Sequence, residues 1–178
     1  MNILDELGRR ILFFDGGLGS LLQERGLEPG ELPETWNLTR PEVLIDIHKA
    51  YINAGADIIN ANTFGANRFK FDNLEEIITA GIANAKKAVA ETGKNAYVAL
   101  DIGSCGKLLK PMGTLDFADA VDVFAEIVRI GDKAGADLIL IETMSDTYEL
   151  KAAVLAAKEN SDLPVFATVI FDESRKML

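Results

Sequence analysis

Basic residues are scarce in this 178-residue chain: 18 lysines and arginines stand against 28 acids, a formal net charge of -10. Such a chain repels phosphate backbones and anionic lipid surfaces, which argues against nucleic acid and membrane as partners. Cysteine is scarcer still. Cys105 stands alone, so no internal disulfide can form, as suits a reducing compartment. No apolar run approaches the roughly 18 residues of a membrane span, and the opening MNILDELGRR lacks the charged and apolar regions of a secretory leader, so a cytoplasmic location is expected. No Pro-, Gly- or Ser-rich stretch divides the chain, and a hydrophobic content of 48% suffices for one core, so one domain is expected over 1–178.

What is present is a regular alternation. Ile11-Leu12-Phe13-Phe14 is a short apolar run stopped by Asp15-Gly16-Gly17, and similar runs follow at 57–62, 96–101, 138–142 and 165–170. Runs of this length, apolar throughout, read as strands buried on both faces. Between them lie amphipathic segments. Phe117, Val121, Phe124, Val128 and Gly131 draw one apolar stripe, and 74–92 is a helix of the same kind. Thr39-Arg40-Pro41-Glu42 and Asp146-Thr147-Tyr148-Glu149 have the form of capping boxes, and a short helix is expected over 20–25. Strand and helix alternating in units of about 40 residues imply a parallel sheet with helical crossovers.

The chain also repeats itself. AGADIINANTF at 54–64 returns as AGADLILIETM at 134–144, with six of the eleven positions identical. The small residues mark a helix end, its turn and the start of the next strand. The other end of each copy is polar: Asn62-Thr63 and Glu142-Thr143 fall at carboxyl ends of strands, where parallel α/β folds collect their chemistry, and Asp15 and Asp101 hold the same place on the first and third runs. Gly17-Leu18-Gly19 begins a dinucleotide fingerprint, but Leu22 stands where its third glycine belongs, so a (βα)8 barrel is preferred to a doubly wound nucleotide fold. Such a barrel takes about 250 residues. Five strands and four helices are in view, about half of one.

Asp15 to Ser20 follows a buried strand and opens a short helix, so its backbone N–H groups suit a carboxylate or phosphate; a tight turn with Asp15 as helix cap is the plainer alternative. Glu142 ends an apolar strand and must meet a cation, a donor or water. Together they would suit a zwitterion, with N–H groups on its carboxylate and Asp15 and Glu142 on its ammonium. His48 reads as a structural histidine, Trp36 as a loop anchor over the barrel end, and Cys105 as a lone thiol that makes no metal site.

FFDGGLGSLLQERG, PETWNLTRPEVLIDIHKAYINAGADIINANTFGANRFKF, ALDIG and LIETMSDTYELKAAVLAAKE as a set resemble the homocysteine S-methyltransferase domain, in the form that opens cobalamin-dependent methionine synthases. The resemblance implies a (βα)8 TIM-type barrel in which zinc, held by three cysteine thiolates, binds the homocysteine sulfur for methyl transfer to make methionine. It implies that Asp15, Gly16, Gly17 and Glu142 hold the amino-acid end of homocysteine, with Asn62, Thr63, Phe64, Gly103 and Ser104 lining the same pocket. The zinc cysteines of that family lie in later motifs that have no counterpart here, so the chain is expected to be the amino-terminal part of the barrel, inactive alone, with cobalamin and methyltetrahydrofolate serving the parent protein. A betaine-, S-methylmethionine- or S-adenosylmethionine-dependent relative is the nearest alternative, and a non-catalytic amino-acid-binding half-barrel that self-associates through its sheet edges is another.

Overall fold

The structure, a computed structural model, describes residues 3–177. Its sheet is parallel, with strands in chain order: β1 (Ile58–Asn60), β2 (Tyr97–Ile102), β3 (Leu138–Met144) and β4 (Val165–Val169). Ahead of them come α1 (Leu18–Glu24), α2 (Trp36–Thr39) and α3 (Pro41–Ala54); α4 (Leu74–Thr92), α5 (Phe117–Lys133) and α6 (Thr147–Asn160) form the three crossovers. The result is a partial barrel of α/β type.

Strand alternation separates two apolar clusters. Ile59, Val98, Leu100, Ile102, Ile139 and Ile141 pack outward under the helices. Ile58, Tyr97, Ala99, Leu138 and Leu140 point inward, joined by Leu12 and Phe166 and closed at the foot by Ile3. On helix α5 the buried face is centred on Ala120, Phe124, Ile127 and Gly131, one step round from the expected stripe, which leaves Phe117 39% exposed. Gly131 belongs there because any side chain would collide with Leu100 of β2.

Two local expectations change. The run Ile11–Phe14 forms no strand of its own: it meets β1 through one bridge, Phe14 to Ile58, with backbone bonds from Asp15 N to Ile58 O and from Asp57 N to Phe13 O. It is held along one side only, so Ile11 and Phe13 remain 74% and 58% exposed. The capping box at Thr39 does not form. Thr39 ends α2, its hydroxyl donating to Thr35 O, and α3 starts at Pro41 behind an Arg40 that makes no side-chain cap. The second box is half realised: Asp146 accepts from Tyr148 and Glu149 N–H, whereas the Glu149 carboxylate turns to Ser104 Oγ and Cys105 N. The repeated glycines behave as expected, with Gly55 and Gly135 at φ 109° and 90°, a left-handed turn that glycine alone enters without cost.

Candidate functional site

A cavity of about 420 Å³ opens at the carboxyl ends of the strands. It exists because the period of two that buries Ile58, Ala99 and Leu140 on the inner face continues to Asn60, Asp101 and Glu142, which crown that face with polar groups and line the cavity. Asp15, Gly16 and Gly17 close one side, and Asn62 and Phe64 another, so six of the nine expected residues meet there.

Asp15 does not cap α1. Its Oδ2 accepts the Asn60 N–H at 3.0 Å, tying the loop to the end of β1, while Oδ1 is buried with no partner among the described residues. The N-cap residue of α1 is Gly17, which carries no side-chain cap, so the amides of the first turn border the cavity without one. Tyr51 reaches across from α3 and donates to Gly17 O at 3.2 Å. A Cβ on Gly16 would lie 2.9 Å from that hydroxyl, so the loop needs glycine to pass under the ring.

The sheet breaks at Glu142 and the residue after it. The register between β3 and β4 shifts between Ile141 and Met144, and Thr143 takes φ 59°, rarely adopted by a β-branched residue. Thr143 N donates to Thr168 Oγ1 at 2.8 Å, which anchors the bulge. Strain of this kind costs about 1–3 kcal/mol and persists where surrounding contacts impose it.

Asn62 works as a strut for the wall. Its Nδ2 donates to Pro33 O and to Asn37 Oδ1, and Asn37 Nδ2 donates back to Asn62 O. That network holds the turn Pro33–Thr35 against the sheet, and with it Glu34, whose Oε1 accepts the Gly65 N–H at 2.6 Å. Trp36, the expected anchor, is buried among Leu22, Leu44 and Ile47, donates Nε1–H to Glu31, and lies under the Arg40 guanidinium.

The three remaining expected residues stand behind the lining. Thr63 is buried, its hydroxyl donating to Asp101 O and accepting Asp101 N–H, which fixes the backbone of the carboxyl above it. Gly103 donates its N–H to Phe64 O, and a Cβ there would come within 2.6 Å of the Phe64 ring. Ser104 donates to Glu149 and accepts from Gly106 N. His48 is buried with neither ring nitrogen partnered among the described residues, and burial pulls it down to about 4, so it is neutral.

Asp101, Glu34 and Asn60 join the lining without having been singled out as binding residues. Asp101 carried a signal, since it ends the third apolar run. Glu34 carried none: its burial arises from the asparagine network, which no local pattern announces.

The lining is therefore acidic on every side, with Asp15, Glu34, Asp101 and Glu142 and no lysine or arginine among them. Burial pushes Asp15 up to about 7, an effect eased by the Asn60 N–H and increased by the charge of Glu142. Burial, then the charges of Glu142, Asp15 and Glu34, hold Asp101 well above the usual carboxylate range; burial raises Glu142 also. Asp15 Oδ1, Asn60 Oδ1 and Asp101 Oδ1 are all buried acceptors without donors among the described residues. Such a surface is complementary to a positively charged group rich in N–H.

Residues 12–178 match the family model of homocysteine S-methyltransferase. Methionine synthase of Mycobacterium tuberculosis is 34% identical over 199 residues, and that of Mycobacterium leprae 31% over 198; each alignment covers 99% of this chain and 16% of the relative. The chain thus spans about a sixth of the length of these curated relatives. Among solved structures, the homocysteine methyltransferase MmuM from Escherichia coli in its oxidised form superposes with a TM-score of 0.81 at 19% identity, covering 99% of this chain and 68% of that one. Its metallated form gives a TM-score of 0.80 at the same identity. At such identity the likeness speaks for the fold, while the sequence match carries the lineage: the chain belongs to the homocysteine S-methyltransferase family.

Proposed function

We propose that the cavity binds the amino-acid end of homocysteine, and that the chain is the first part of a barrel whose parent protein transfers a methyl group to the homocysteine sulfur. Asp15 and Glu142 take the ammonium, and the uncapped amides after Gly17 take the carboxylate. The observation that carries this reading is that three residues lining one cavity, Asp15, Asn60 and Asp101, each have a buried Oδ1 with no donor among the described residues. An ammonium brings three N–H donors and one positive charge, and satisfies both deficits at once. Phe64, which is 44% exposed and lines the same cavity, gives the ligand's methylene chain an apolar surface.

The family is expected to use zinc, with cobalamin and methyltetrahydrofolate in the parent. Among the described residues no group of three His, Cys, Asp or Glu has the arrangement of a metal site. Cys105 is a poor ligand where it stands: burial pushes its thiol up to about 11, and Sγ is turned toward Lys107 O. These residues do not fit the ion, so the chemistry assigned to this chain is binding and orientation. For the parent protein the proposed methyl donor is methylcobalamin.

The test is calorimetric titration of L-homocysteine into the chain and into its Glu142→Ala variant. Removing one charge-assisted bond, worth about 1.5–3 kcal/mol, should weaken binding by about 10- to 100-fold. Equal affinities would take Glu142 out of the ammonium site.

A further inference from the structure

The acidic lining is larger than one ammonium needs. Asp101 stands on the inner face of β2, is 6% exposed, and has a buried Oδ1 with no partner. The charged groups that face it are Glu142 from β3, Asp15 from the end of the first apolar run and Glu34 from the turn Pro33–Thr35, all carboxyls. Its backbone is clamped on both sides by the Thr63 hydroxyl, with 2.8 Å from Thr63 Oγ1 to Asp101 O and 3.1 Å from Asp101 N to Thr63 Oγ1. The group therefore has little freedom to swing away from its neighbours.

Four carboxyls around one small cavity cannot all be ionised while the cavity is empty, because like charges in a partly desolvated site repel strongly. Asp101, buried and with no donor to its Oδ1 among the described residues, is the cheapest to keep protonated; Glu34 is as buried, but its Oε1 accepts the Gly65 N–H. We propose that Asp101 is a third carboxyl of the amino-acid site, one that keeps its proton in the empty cavity and releases it to solvent when a ligand ammonium enters. The inference rests on the reading of the cavity given above and adds to it an exchange of proton for cation. The Asp101 O–H bond breaks, the proton passes to buffer, and the carboxylate left behind accepts an N–H of the incoming ammonium; Asp15 and Glu142 accept the others. The empty cavity thus carries one negative charge fewer than its four carboxyls would otherwise give it, and the filled one balances the new cation with a new anion.

Affinity should then rise with pH for as long as the empty cavity still holds the proton to be expelled. Tested with L-methionine, whose thioether has no proton to give, any released proton comes from the protein. Calorimetry of L-methionine binding to the wild-type chain near neutral pH, in buffers of different ionisation enthalpy, should report on the order of one proton released per ligand. Asp101→Asn should lower that number by half or more and flatten the pH dependence of affinity, a change that a merely structural role for Asp101 would not produce. Wild-type binding with no proton exchanged, or equal release from both proteins, would overturn the inference and leave the amino-acid site standing. Absence of any L-methionine binding to the wild type would overturn both. The wild-type measurement decides the matter even if Asp101→Asn folds poorly.

Discussion

Asp57 and Asp137, the last residues of the two AGAD copies, do the same work at the foot of the sheet: Asp57 Oδ2 accepts the Phe13 N–H at 2.9 Å, and Asp137 Oδ2 accepts the Val98 N–H at 2.7 Å. Each carboxylate thus holds the extended segment ahead of it, the Ile11–Phe14 run in one copy and β2 in the other, and each also carries a basic partner, Arg10 and Lys86. The repeat encodes a strand clamp at the rim opposite the cavity. Asp137→Ala leaves a sheet N–H without its acceptor and should cost about 1–2 kcal/mol in denaturant unfolding, whereas Lys86→Ala, which removes only a part-exposed ion pair, should cost under about 1 kcal/mol. Equal losses would mean that the ion pair, not the backbone bond, is what matters.

The acidic cavity sets a pH dependence of stability. Asp15 titrates near 3.9 when unfolded and at about 7 in the fold, so between these values the folded chain holds the extra proton. Stability contributed this way is greatest at the acid end of the window and falls as pH rises toward 7, by an amount on the order of 2–4 kcal/mol. Asp101 and Glu142 are shifted in the same direction and add to the trend. Without ligand, the melting temperature should be higher at pH 5 than at pH 8, and Asp15→Asn should reduce the difference. A melting temperature that climbs from pH 5 to pH 8 would contradict the buried acid cluster.

Helix α5 sits on β2 through a glycine. In Gly131→Ala the new methyl would collide with the Leu100 side chain, so helix and strand must separate slightly, an overpacking that costs about 1–3 kcal/mol despite the better helix propensity of alanine. Chemical denaturation would show it. A stabilised variant would mean that Leu100 has room to turn.

Both sides of the sheet leave apolar residues open: Ile11 and Phe13 on one, and Ile170 and Phe171, at 48% and 60% exposure, on the other. Unpaired parallel edges with exposed apolar side chains invite pairing with a further strand. Light scattering should detect self-association of this chain at micromolar concentrations, weakened by Phe13→Lys and Phe171→Lys together. A monodisperse monomer with no affinity for hydrophobic dyes would rule this out.

The parallel order of the strands was legible because apolar runs of four to six residues recur with amphipathic helices between them, and that pattern suits no antiparallel sheet. Phe14 shows its limit: the Ile11–Phe14 run has strand composition, but a ladder needs continuous partners, and only one bridge forms. Thr39 failed as a cap since a four-residue helix ends on it, an event decided by the burial of Trp36 rather than by local preference. In the site, Asp15 and Glu142 were readable from their position at strand ends. Glu34 was not, because its place depends on contacts among Asn37, Asn62 and Asn84 that join distant parts of the chain.

One wall of the cavity is an aromatic ring resting on a bare backbone, Phe64 over Gly103. That leaves the two positions without independent futures: enlarging residue 103 drives the ring into the space a substrate would occupy, and shrinking residue 64 opens a gap that no neighbour on the rigid β2 terminus can fill. Pocket width is thus set by the pair, and a change at either position alone comes at the expense of the packing between them.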